Sequence, residues 1–227
     1  MTTTIRCAAR AVATRAAPRA AELLLAALGT LGTLAASASH AGALTLHLTD
    51  SAGKPLADAV ALLEPAGAKA PTRPMADVDI AQAKREFTPR VTLITVGTRA
   101  LFPNFDTVRH HVYSFSPAKT FELKLYAGVP NVPVVFDKPG MAVLGCNIHD
   151  SMAAWVLVVD SPLHARSSAD GKARIAAVPP GAYRLRVWHP GQPANVEPAP
   201  VQISVAEADA DPAVRLNVTL NPLAALP

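Results

Sequence analysis

Twenty-one prolines are spread through this 227-residue chain, and that spacing suits many short strands joined by turns better than long helices. Between the prolines stand short segments in which apolar and polar residues alternate. Leu44, Leu46 and Leu48 alternate with Thr45, His47 and Thr49, which is the period of a half-buried strand. No apolar pattern of helical period is long enough to compete, although Ala76 to Arg85 has room for a turn or two of helix. Half of the residues are hydrophobic, so a real core can be buried. The expected fold class is all-β.

The strands fall into two groups. Near the start, a strand at Ala43–Thr49 runs into the turn Asp50-Ser51-Ala52-Gly53, and a second strand covers Ala59–Leu63. Far downstream, Ser168-Ala169-Asp170-Gly171 leads into a strand. The turn Val178-Pro179-Pro180-Gly181 leads into another at Tyr183–Trp188. Together these pieces resemble the small β-sandwich related to the regulatory domain of carboxypeptidases, which has similar turns near its start and later a Pro-Gly-x-Tyr. Roughly 100 residues separate the two halves, which suggests one domain inserted into another, because loop tips tolerate insertion. The expected boundaries are residues 42–65 and 161–227 for the small sandwich and tail, 66–75 for an Ala/Pro/Gly linker, and 76–160 for a second β-sandwich. That middle segment holds several short alternating runs: 91–96, 100–102, 111–115, 121–125, 141–146 and 154–159.

Residues 1–41 read as a signal peptide. Arg6, Arg10, Arg15 and Arg19 precede the apolar run 23–36, and small residues follow, with cleavage expected after Ala38 or Ala41. A membrane anchor is the alternative, but the run is short for a span of about 20 residues. The expectation is an exported, periplasmic protein with no stable membrane insertion once the leader is removed. Without the leader the formal charge of +4 falls to about +1, and no basic stripe argues for nucleic acid.

Removing the leader also removes Cys7 and leaves Cys146 alone. In an oxidising compartment a lone cysteine is buried and inert, paired between chains, or bound to a metal. Its surroundings favour the last: Cys146-Asn147-Ile148-His149-Asp150-Ser151-Met152 places a thiolate, an imidazole and a thioether on one short loop between two strands. Cysteine and two histidines with a weak axial methionine make a blue-copper electron-transfer site. Structural zinc sites use four Cys or His ligands, so zinc fits less well. A copper-free sandwich with Cys146 and Met152 as core residues is the bland alternative. The second imidazole must come from a neighbouring strand, where His110 and His111 are the candidates.

From these residues the segment from about Ala76 to Asp160 resembles the cupredoxin family. Amicyanin, with its short Cys-x-x-His-x-x-Met loop, is especially similar, as are cupredoxin-like proteins of the methylamine utilisation type. The family's ligand histidine is preceded several positions earlier by Asn and followed by Asn and an aliphatic residue. Matching Asn104 and Val112 to that pattern makes His110 the ligand and puts His111 where the family has Asn. The resemblance implies one copper ion cycling between Cu(I) and Cu(II). Cys146, His110 and His149 would bind it equatorially, Met152 would be the axial ligand, and the edge of His149 would pass the electron. Asp150, next to the loop histidine, would lower the local potential.

His47, His164 and His189 have no partner nearby in sequence, and Trp155 and Trp188 read as core. No nucleophile and base pair is evident. The chain therefore reads as an electron carrier, not an enzyme, exchanging single electrons with a redox protein of unknown identity. The alternative is a periplasmic copper-binding or interaction module that does not turn electrons over.

Overall fold

The computed structural model describes residues 42–192, 199–206 and 213–220; the expected signal peptide lies outside them. Their regular structure is entirely β, with no helix among the described residues. The strands are β1 (Gly42–Asp50), β2 (Val60–Pro65), β3 (Val78–Asp79), β4 (Ala81–Ala83), β5 (Glu86–Thr88) and β6 (Val91–Thr95). They continue with β7 (Thr98–Leu101), β8 (His110–Ser116), β9 (Lys119–Tyr126), β10 (Val134–Phe136), β11 (Gly140–Cys146) and β12 (Ala153–Val159). The last five are β13 (His164–Arg166), β14 (Lys172–Val178), β15 (Gly181–Trp188), β16 (Val201–Val205) and β17 (Ala213–Val218).

The first two and the last five of these strands share two sheets, ordered β14-β1-β17 and β13-β2-β15-β16. β1 is central in the first, antiparallel to β14 with Leu46 opposite Ala173 and parallel to β17 with Leu48 opposite Leu216. Its leucines point one way, as the alternation requires, and meet Leu63, Ile175, Tyr183 and Leu185 in one core. Gly171 is obligatory at the joint. Its φ is +76°, and a Cβ there would lie 2.4 Å from the Leu48 carbonyl oxygen. Ser167 closes the same joint, its Oγ donating to Leu56 O at 2.7 Å and accepting from Ala59 N at 2.9 Å.

The middle of the chain builds a second core between the sheets β6-β12-β11-β8-β9 and β10-β7-β3. Phe102, Phe136, Ile80, Ile94, Val112, Leu144 and Val156 fill it. β6 runs parallel to β12, and the other contacts in its sheet are antiparallel. Trp155 faces away from this core and packs with Val60, Val91 and Trp188 in a third cluster, so the outer face of β12 is partly covered by β2 and β15. Arg166 reinforces the contact, donating to Val91 O at 2.7 Å and pairing with Asp58 at 3.2 Å.

One expectation fails here. Residues 76–85 hold β3, β4 and a turn, not helix. The reason is where the backbone donors go: Ile80 N–H reaches Leu101 O and Gln82 N–H reaches Pro103 O, across to a neighbouring strand instead of back along the segment. Among the described residues no helix is long and apolar enough to cross a membrane.

Candidate metal centre

The register of three strands brings the expected ligands together. β8 starts at His110, opposite Tyr126 at the end of β9, and β11 ends at Cys146, opposite Val112. Along β8 the inward positions are His110, Val112 and Ser114; along β11 they are Ala142, Leu144 and Cys146. Both reactive side chains therefore enter the same core at the same end. His110 is fully buried and Cys146 is 3 % exposed.

The turn 147–152 returns His149 over that end. Asn147 N–H donates to His111 O at 3.1 Å, tying the turn to β8, and Met152 N–H donates to His149 O at 3.0 Å, closing it. Cys146 Sγ then lies 3.6 Å from His110 Nδ1 and 3.8 Å from His149 Nδ1. The two rings sit 5.0 Å apart, tilted by 59°. The three donor atoms all lie within 4.8 Å of one another.

The spacing suits an ion. A metal bonded at about 2.3 Å to sulfur and about 2.1 Å to nitrogen, with an angle of about 120°, separates those atoms by about 3.8 Å. The donors are one cysteine sulfur and two imidazole nitrogens, a soft set that suits copper. Met152 lies 2 % exposed in the same core cluster as Cys146, so a thioether is buried on the same turn.

The other residues singled out in the sequence sort cleanly. His111 points to the opposite face and pairs with Glu122 at 2.8 Å, outside the group. Asp150 is exposed at the rim of a groove of about 540 Å³ that reaches Cys146 and Met152. Tyr113 and Phe115 flank the same groove, their rings 5.1 Å apart. Asn104 is buried and holds the approach to β8, donating to Val108 O and Tyr126 O and accepting from Asp106 N. Trp155 and Trp188 pack in the third cluster, as core residues do.

Asp106 is the residue the sequence did not reveal. Its Oδ2 lies 2.8 Å from His110 Nε2. It also accepts from the backbone amides of Lys84 at 2.6 Å and Arg85 at 2.9 Å. Desolvation pushes its carboxyl upward, but the Arg85 amide, His110 and the Lys84 amide together outweigh this and hold it below the ordinary carboxylate value. An ionised carboxylate only accepts, so Nε2 carries a hydrogen, and Nδ1, facing Cys146, is the nitrogen left to bind an ion. Two of its three partners are backbone amides about twenty residues away, which carry no side-chain signature, while the third, His110, is four residues on.

No family model matches the chain, and no curated protein matches it. Similar solved structures do exist. A purple cupredoxin from Nitrosopumilus maritimus is 22 % identical, covering 37 % of this chain and all of its own, with a TM-score of 0.32. A reduced Cu(I) form of an amicyanin mutant is 17 % identical over 44 % of this chain and 98 % of its own, with a TM-score of 0.32. The copper-containing nitrite reductase of Thermus scotoductus is 26 % identical, with a TM-score of 0.35; the match covers 51 % of this chain and only 28 % of the reductase. The solved structures to which this all-β chain is similar include amicyanin, pseudoazurin and a purple cupredoxin, each over less than half of its length: they are cupredoxins.

Proposed function

We propose that this chain is an exported type 1 copper protein that carries single electrons between redox partners. The convergence of Cys146 Sγ, His110 Nδ1 and His149 Nδ1 carries the reading. Copper bound there supplies a Cu(I)/Cu(II) couple that takes up or releases one electron at a time. The chain's own residues set the conditions. Cys146, His110 and His149 would hold the ion, with Met152 as the fourth donor. Burial of His110, Cys146 and Met152 keeps water from the centre, so little solvent must reorganise when charge changes.

His149 is the only one of the four that is partly exposed, which makes its edge the route for the electron. The loops leaving β9 and preceding β8 meet those strands at the His110–Tyr126 pair, and they carry Phe105, Val129 and Val132 with their side chains largely in solvent; Ile148, next to His149 in sequence, adds to them. An apolar surface at that end suits transient docking of a redox protein. In this reading the chain is a carrier, not an enzyme, and acts in the periplasm. The core around Leu46 and Leu185 favours one rival, a copper-binding interaction module without electron turnover, since its strands β2 and β15 cover a face of the metal-binding half.

Titration of the purified protein with Cu(II), read by visible absorption and electron paramagnetic resonance, tests the site. An intense thiolate-to-copper band, narrow copper hyperfine splitting and one copper per chain are expected. Ordinary hyperfine splitting with no strong band would remove Cys146 from the equatorial set and sink the carrier. Fast, reversible voltammetry separates carrier from binding module, and N-terminal sequencing of the protein recovered from periplasmic extract tests export.

A further inference from the structure

We infer that Asp106, braced by the β4–β5 hairpin, is a positioning residue that fixes the tautomer and aim of His110 before any metal arrives; this rests on the copper reading above. His110 is completely buried, so its outer nitrogen must find a partner within the protein, and Asp106 Oδ2 is that partner at 2.8 Å. With Nε2–H committed to the carboxylate, Nδ1 presents its lone pair 3.6 Å from Cys146 Sγ.

The brace is built at a conformational cost. Lys84 and Arg85, the two turn residues of the hairpin, both have left-handed backbones, with φ of 55° and 60°. Such values are uncommon for side chains other than glycine, asparagine and aspartate. Here they turn two successive N–H groups onto Asp106, one to each oxygen. The segment around Asp106 is fixed to the same hairpin by Phe105 N–H to Gln82 O and Gln82 N–H to Pro103 O, both at 2.8 Å. A continuous set of hydrogen bonds thus runs from the hairpin through Asp106 to the ring. Partners of this kind on ligand histidines are worth 10–100-fold in metal affinity.

The arrangement requires a carboxylate. Three donors converge on two oxygens, so the near-isosteric Asp106→Asn must turn an amide NH2 toward at least one N–H. That variant should keep a visible thiolate band, bind Cu(I) about 10–100-fold more weakly in chelator competition, and show a raised reduction potential, because a less basic imidazole stabilises Cu(II) less. Glu86→Gln, an exposed side chain on β5 with no part in this set, should bind copper as the wild type does. Nitrogen-15 NMR of the metal-free wild type needs no variant: His110 should show a slowly exchanging Nε2–H and a bare Nδ1. A proton on Nδ1 overturns the inference, and so does an Asp106→Asn protein with unchanged affinity and potential. These failures leave a blue wild type intact, whereas a wild type with no thiolate band defeats the copper reading and the inference with it.

Discussion

The hydroxyl of Ser167 serves two backbone groups that lie more than 100 residues away in sequence, accepting from Ala59 N–H and donating to Leu56 O. Ser167 is 3 % exposed and Ala59 fully buried, so water cannot replace the lost oxygen. Ser167→Ala strands the Ala59 N–H, at about 1–3 kcal/mol, and deletes the bond to Leu56 O, about 0.5–1.5 kcal/mol. With some relaxation the net cost should be about 2–3 kcal/mol. For a chain of this size that lowers the melting midpoint by roughly 4–12 °C. The assay is thermal and urea unfolding of the metal-free protein, with Ser51→Ala as the control. Ser51 is exposed, and its removal should cost about 0.5 kcal/mol or less. If the two cores unfold in separate transitions, only that of the core around Leu46 and Leu185 should move. A Ser167→Ala midpoint as close to wild type as the control's would refute the claim that this hydroxyl joins the chain's two ends.

Gly145 lies under the Tyr113 ring, and a Cβ there would come within 2.7 Å of the ring's Cζ and OH. Gly145→Ala should cost about 1–3 kcal/mol by overpacking, and a double-mutant cycle with Tyr113→Ala should recover at least about 0.5 kcal/mol. Burial lowers the pKa of His189, a hydrogen bond to Ala57 opposing only in part, and its Nδ1 accepts from Gly191 N–H. The fold therefore holds it neutral. Its contribution is complete above the unfolded value of about 6.5 and is lost as pH falls through the lower folded value. His189→Asn should flatten that part of the stability–pH profile, and an unchanged slope would count against the burial argument. Copper in excess should raise the melting midpoint, a strong chelator should reverse the gain, and Cys146→Ser should abolish most of it; an undiminished gain in that variant would place the ion elsewhere.

Much of the fold was legible because period-two alternation is strong wherever a strand is long. The β1 leucines, β11 and β15 all lie within a residue or two of where their patterns put them. The motif around Cys146 named three candidate donors, of which the structure brings Cys146 and His149 together with His110, and alternate pointing along β8 separates inward His110 from outward His111. What escaped has a common cause. β3 and β4 are two and three residues long, too short to show a period, and they are strands only because distant carbonyls accept their amides. Asp106 escaped for the same reason: its role is created by hairpin amides that have no side-chain signature.

The split sheets also fix an order of events during synthesis. Everything needed for the core around Phe102 and Leu144 has been made by residue 159, whereas β1 and β2 find no strand partner before β13 and β14. Until then the Leu44, Leu46 and Leu48 face and both edges of β1 stay open, a template for pairing with another chain. A nascent or truncated chain that stops after β12 would thus combine a finished Cys146–Met152 turn with an adhesive leading ribbon. Its solubility would depend on whatever shields that ribbon while the last strands are made.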